Sequence, residues 1–117
     1  NSGEWLHEGM ASHYQLRFHP QENFGEIVRN GISDPGNYQP LETLLNGKKI
    51  ELNAYWQAAT LVDMLLHDEA YRAKLPGLLT ALQEAGSTDL GPHIQPYLGK
   101  TFEELTADWQ AFCKRTY

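Results

Sequence analysis

The chain has 117 residues, 41% of them hydrophobic and 21% charged, which is typical of one globular domain and excludes a disordered chain. Nine Lys and Arg against fifteen Asp and Glu give a net charge of −6, which argues against nucleic acid or anionic lipid as a partner because both are also negative. The single Cys113 excludes an internal disulfide framework, and no apolar stretch approaches the roughly 20 residues that cross a bilayer.

The start of the chain indicates that it belongs to something larger. An amphipathic pattern is already running at residue 5, directly after Asn-Ser-Gly, whereas the first residues of a domain are usually looser. We therefore expect residues 1–117 to form a single helical domain that is a piece of a longer protein.

The first half of the chain consists mainly of segments with helical periodicity, which are separated by Gly and Pro residues. A helix is predicted from about Glu4 to Phe18, with apolar residues on two sides, so that most of it should be buried. The apolar positions are Leu6, Met10, Ala11, Tyr14 and Phe18 on one side, and Trp5, Gly9 and Leu16 on the other. A second helix over 23–30 is predicted to end at a left-handed Gly31. The sequence further predicts a loop over 33–40, one helical turn over 41–45 and a short extended segment over 48–52.

The second half contains the clearest helix, over 53–67, with Asn53 as its N-cap and a continuous apolar face that predicts a core position. A further helix over 69–85 is predicted to stop at Gly86 and to be bent or broken by Pro76. Residues 92–98 are short and helical or irregular. The last helix begins with a capping box at Thr101 and Glu104, and its buried stripe comprises Phe102, Leu105, Trp109, Phe112 and Cys113.

The dipeptide His7-Glu8 looks like the start of a zinc-protease His-Glu-x-x-His helix, but the spacing fails. That motif needs its second histidine four residues after the first, so that both rings point to one side. Position 11 is Ala, and the next histidine, His13, lies about 120° away around a helix. The spacing therefore argues against a zinc site made by this helix alone.

A longer pattern surrounds Glu8. Residues 5–14 read Trp-Leu-His-Glu-Gly-Met-Ala-Ser-His-Tyr, which resembles the Trp-Leu-x-Glu-Gly-x-Ala segment of gluzincin metallopeptidases, including bacterial peptidase MA-like domains. In that family an upstream His-Glu-x-x-His helix supplies two zinc ligands and the general base, and the glutamate of the second helix completes the metal site. The resemblance implies that Glu8 is a zinc ligand. Gly9 and Ala11 would let another helix approach closely.

A second similarity follows in the order that the family requires. Residues 55–65 read Tyr-Trp-Gln-Ala-Ala-Thr-Leu-Val-Asp-Met-Leu, which resembles the helix after the glutamate helix in these peptidases. In the aminopeptidases its tyrosine donates to the oxyanion formed during peptide hydrolysis, a role that suits a phenol on a rigid ring. The resemblance therefore implies that Tyr55 is a catalytic oxyanion donor. The segment between Glu8 and Tyr55 is shorter here than in the aminopeptidases, and a core position for Tyr55 remains the alternative.

The end of the chain, residues 98–109, is similar to the Gly-x-Ser/Thr-x-x-Glu-Leu-x-x-x-Trp ending of peptidase MA-like domains. Together the three segments imply an all-α bundle equivalent to the C-terminal helical subdomain of a gluzincin. The expected parent is a zinc-dependent peptidase that acts on a peptide or protein substrate, with periplasmic or secreted location slightly favoured. This chain lacks the His-Glu-x-x-His helix, so we expect no activity and no bound zinc from it alone.

Two other interpretations stay open. One is a peptidase-like scaffold that has lost its activity. The other is a helical interaction module, in which helices 53–67 and 69–85 pack like a repeat and present Trp56 or the Pro35 loop to a partner. The five histidines are expected at surface or capping positions, with His13 and His19 placed to line any cleft beside the first helix. The sequence does not determine the oligomeric state.

Overall fold

The chain folds into an all-α bundle, as predicted. A computed structural model describes residues 3–117 and contains no strand in that range, where one isolated bridge joins Asn46 to Asp89. The α-helices are α1 (Trp5–Phe18), α2 (Phe24–Ile32), α3 (Leu41–Leu44), α4 (Tyr55–His67), α5 (Glu69–Arg72), α6 (Leu75–Ala85) and α7 (Phe102–Thr116). Pro35–Asn37 and Leu52–Ala54 form single 3-10 turns, and Ile94–Leu98 forms a π-helical turn.

Helix α4 lies in the centre of the core, which confirms its predicted position. Residues are buried around most of its circumference, and three of them, Gln57, Thr60 and Met64, lie outside the predicted apolar face. The two polar ones are satisfied by hydrogen bonds. The Gln57 amide bonds to both backbone groups of Gln39, and the Thr60 hydroxyl accepts from the indole of Trp109 at 3.0 Å. Polar groups can be buried here because each has a partner.

Helices α1 and α4 pack side by side and run in the same direction. Residue numbers increase in the same direction along the contact: Gly9 lies against Ala58 and Val62, and His13, further along α1, lies near Asp63. At Gly9 the backbones come so close that a Cβ would lie 2.7 Å from the Ala58 carbonyl oxygen and 2.7 Å from Val62 Cγ2. The predicted close helix approach at Gly9 is therefore present, and it is made with α4.

Helix α7 closes the bundle, and its predicted cap and most of its predicted buried stripe are present. The capping box is complete, because Glu104 N donates to the Thr101 hydroxyl and Thr101 N donates to the Glu104 carboxylate. In its predicted stripe, Leu105, Trp109, Phe112 and Cys113 are buried, whereas Phe102 is only partly buried against the core. Burial raises the pKa of the Cys113 thiol to about 12, which leaves an unreactive group.

The prediction that α1 is mostly buried was wrong. Trp5 and Gly9 are buried, but Tyr14 and Phe18, on the opposite side, are 47% and 71% exposed. Ala11 is exposed as well. Only one face of α1 meets α4, because no other helix among residues 3–117 covers the outer apolar side along its length.

Two helix boundaries also differ from their predictions. Gly31 lies inside α2 without a left-handed backbone, and its missing side chain makes room for the indole of Trp56, which a Cβ would meet at 2.3 Å. Asn53 is not an N-cap, because a 3-10 turn over Leu52–Ala54 leads directly into α4. At Gly31 a packing contact takes the place of the expected cap, and at Asn53 a preceding 3-10 turn does.

The segment 69–85 is two helices rather than one. The helix is interrupted between Arg72 and Leu75. Pro76 lies in the first turn of α6, where its missing N–H leaves no hydrogen bond unmade. The helix ends at Gly86 with φ 67°, the left-handed cap that was predicted. None of the helices in the described part of the chain is long and apolar enough to cross a membrane.

Replacing Gly9 by Ala tests the contact between α1 and α4. The added methyl group must push the helices apart, and we expect the free energy of unfolding to fall by about 1–3 kcal/mol, as in other overpacked cores. The matched control is Gly77→Ala in α6, where a Cβ meets its nearest atom at an ordinary 3.9 Å. That variant should gain up to about 1 kcal/mol from helix propensity. Urea denaturation measures both, and equal stability of the two variants would contradict a close contact at Gly9.

Candidate functional site

Glu8 and Tyr55, the two residues singled out by the sequence, come together in the fold. Glu8 lies at the edge of α1, partly buried, and Tyr55 is the first residue of α4. Partial burial, followed by the negative charge of the nearby Glu8 carboxylate, raises the pKa of the Tyr55 phenol. The parallel packing of the two helices is the reason, since it places their N-terminal halves side by side.

A cleft of about 420 Å³ lies next to this pair. Tyr55 and Trp56 form part of its wall on α4, and Ser12 and His19 form part of its wall on the side of α1. His19 therefore lines a cleft, as predicted. Trp56 is half-buried, and its ring packs against Trp109 with 6.0 Å between centroids.

One turn before Glu8, another carboxylate is buried more deeply. Glu4 is 3% exposed, and its Oε1 caps α1 by accepting a hydrogen bond from the backbone N of His7 at 2.7 Å. Its Oε2 has no hydrogen-bond partner among residues 3–117. A buried carboxylate oxygen without a donor is costly, so the start of α1 is a place where a further polar contact would be favourable.

A second group of side chains, of the types that bind metals, was not predicted. His13, Asp63 and His67 offer three ligand atoms that all lie within 4.8 Å of one another. His13 Nδ1 lies 3.9 Å and His67 Nε2 lies 3.7 Å from Asp63 Oδ1. The spacing of Asp63 and His67, four residues apart on one helix, was a usable signal. The sequence could not show that His13 joins them, because it comes from another helix.

Neighbouring groups form a hydrogen bond with this cluster and shift the pKa of one of its histidines. The hydroxyl of Tyr117 donates to Asp63 Oδ2 at 2.5 Å, and burial together with that bond raises the pKa of Tyr117. Burial is the largest effect on His13 and lowers its pKa below 6.5. The Asp63 charge opposes the shift, while His67 and Arg17 add to it. The His13 side chain is only 14% exposed, so the predicted surface position does not describe it well.

A cleft of about 450 Å³ opens beside the cluster. His13, Asp63, His67 and Tyr117 line one part of it, and Arg17 contributes a positive charge. This cleft shares part of its wall with the cleft beside Tyr55, including Leu16, Gln21, Phe24 and Ala59. Two neighbouring clefts thus flank the contact between α1 and α4.

Comparison of the chain with protein-family models, with curated proteins and with solved structures gave no match. A function must therefore be inferred from the geometry of the two groups of side chains, Glu8 with Tyr55 and His13 with Asp63 and His67.

The lowered pKa of His13 predicts a pH-dependent stability. Between that pKa and 6.5, the value in the unfolded chain, the unfolded state binds more protons than the folded state. The free energy of unfolding therefore falls as the pH drops below about 6.5. His13→Gln cannot titrate and should show a smaller loss.

Urea denaturation at about pH 7.5 and about pH 5.5, on either side of the ordinary histidine pKa, measures this difference. His7→Gln is the control, since His7 is an exposed residue of the same helix. An unchanged pH dependence in His13→Gln would show that His13 does not carry the effect.

Proposed function

We propose that the chain is the C-terminal helical part of a gluzincin-like zinc peptidase, whose His-Glu-x-x-His helix is supplied by residues preceding it. Glu8 is the third zinc ligand and Tyr55 the oxyanion donor. The reaction of the complete protein is hydrolysis of a peptide bond in a peptide or protein substrate. The observation that carries the proposal is the parallel contact between α1 and α4, which places the Glu8 carboxylate close enough to Tyr55 to raise the pKa of its phenol.

This contact supports the proposal because the two roles must be performed next to each other. An oxyanion donor acts on the carbonyl oxygen of a substrate bound at the metal, so it must lie beside a metal ligand. Glu8 and Tyr55 are far apart in the sequence and come from different helices. Their meeting was required by the resemblance and was not guaranteed by the helical pattern of either segment.

The residues fit the chemistry that they would serve. A carboxylate is a common zinc ligand alongside two histidines, and the bound metal supplies an activated water and polarises the peptide carbonyl. Tyr55 would donate a hydrogen bond to the oxygen that becomes negative. A phenol with the ordinary pKa of about 10 is already protonated at neutral pH, as a donor must be, and the upward shift at Tyr55 acts in the same direction. The adjoining cleft offers room for a substrate side chain.

The metal content of the longest natural form of the protein tests the proposal. We expect an equivalent of zinc by elemental analysis that is lost in Glu8→Gln and kept in Glu26→Gln, a control at an exposed position on α2. Zinc that is equally abundant in both variants would exclude Glu8 as a ligand.

Tyr55→Phe tests the second role in the same protein. Removing the donor should lower kcat for peptide hydrolysis by about 10²–10³-fold, the effect of losing one oxyanion hydrogen bond, with little change in KM or zinc content. An unchanged kcat would make Tyr55 a packing residue.

A helical interaction module is the second candidate, and a specific observation favours it. Tyr14 and Phe18, one turn apart, present neighbouring exposed aromatic rings on α1, and contiguous apolar surface of this kind is a feature of contact sites. Trp56 is packed against the body of the domain, so α1 is the stronger partner surface. Absence of zinc from the longest natural form, together with no upstream His-Glu-x-x-His sequence, would favour this module or an inactive scaffold over the peptidase.

A further inference from the structure

We propose that His13, Asp63 and His67 form a binding site for a zinc-class divalent metal ion, separate from the site at Glu8. The three residues were brought together by folding, and the peptidase proposal makes no use of them. Glu8 lies five residues before His13 on α1, about 7.5 Å along the helix and about 140° around it. Its carboxylate is not among the ligand atoms that lie within 4.8 Å of one another.

The distances between the ligand atoms suit a metal better than they suit hydrogen bonds. Ligands at about 2.0 Å from a tetrahedral zinc lie roughly 3.3 Å from each other. The observed distances of 3.9 Å from His13 and 3.7 Å from His67 to Asp63 Oδ1 are only slightly longer. They exceed the range of a hydrogen bond. Small side-chain rotations would therefore bring all three ligand atoms to one ion.

The backbone already holds these ligands in place. Asp63 and His67 are one turn apart on the rigid core helix, and the close contact of Gly9 with Ala58 and Val62 fixes the position of α1, which carries His13. Little conformational freedom is left to lose on binding, which favours affinity.

Tyr117 completes the arrangement as a positioning residue. Its hydroxyl bonds to Oδ2 of Asp63 at 2.5 Å and leaves Oδ1 facing the two histidines. Metal-binding carboxylates are commonly oriented by such hydrogen bonds, and their loss typically weakens binding by about 10–100-fold. This bond explains why the last residue of the chain is packed against the middle of α4.

The ligand set indicates the class of metal. Two imidazoles and one carboxylate suit zinc and its neighbours, nickel and copper, whereas magnesium and calcium prefer oxygen ligands. His67 is 54% exposed, and the cleft of about 450 Å³ beside the cluster gives the ion a way in. The same cleft leaves a fourth position for water.

Titration of the chain with zinc chloride, followed by calorimetry, tests the proposal on protein without an affinity tag. We expect one equivalent to bind to the unaltered chain. His67→Ala, a change at a half-exposed position that should not disturb folding, and His13→Gln should each weaken binding at least tenfold. Tyr117→Phe should weaken it by about 10–100-fold. His19→Ala, at an exposed position near the end of α1, is the matched control and should bind as the unaltered chain does.

Glu26→Gln, at an exposed position on α2, is the carboxylate control and should leave zinc binding to the chain unchanged. Cobalt binding gives a second readout, since a visible absorption band reports coordination by the protein. Thermal denaturation with and without zinc checks that each variant is folded and should show a zinc-dependent rise in Tm only where the site is intact. No binding below millimolar zinc, or equal affinity in His67→Ala and His19→Ala, would overturn the proposal.

Discussion

The close parallel contact between α1 and α4 is the constraint on which both candidate sites depend. At Gly9 the α1 backbone lies directly against the Ala58 carbonyl and the Val62 side chain, so any side chain at that position would separate the helices. Because the two helices run in the same direction, residues early in α1 meet residues early in α4, and later residues meet later ones. That order alone pairs Glu8 with Tyr55 and His13 with Asp63.

The same contact explains why two separate groups of polar residues border the pair of helices α1 and α4. The shared face of α1 and α4 is filled by small and apolar groups, which leaves no room for charge. Glu8 and His13 are five residues apart, about 140° around the helix, so they emerge on different sides of that face. Each then meets a partner from α4, and Tyr55 and His13 line the two neighbouring clefts. The domain can therefore hold two chemically distinct sites without a polar core.

Helix α7 supports this arrangement from the other side of α4. The indole of Trp109 donates to the buried hydroxyl of Thr60, and the hydroxyl of Tyr117 donates to Asp63. One bond satisfies a polar group inside the core, and the other orients a carboxylate at its edge. The end of the chain thus fixes the rotation of α4 about its axis, and with it the direction in which Asp63 points.

The sequence by itself determined the all-α class, the central position of α4, the capping box at Thr101 and the left-handed stop at Gly86, because these follow from local periodicity and local hydrogen bonds. It also brought out Glu8 and Tyr55, whose roles remain a proposal. Only the tertiary structure decided that Gly31 accommodates an indole ring and that the outer side of α1 stays exposed. Both features depend on which helix surfaces pack against each other in the folded chain. The grouping of His13 with Asp63 depends on the same factor, since contacts between helices distant in the chain leave no periodic trace in either one.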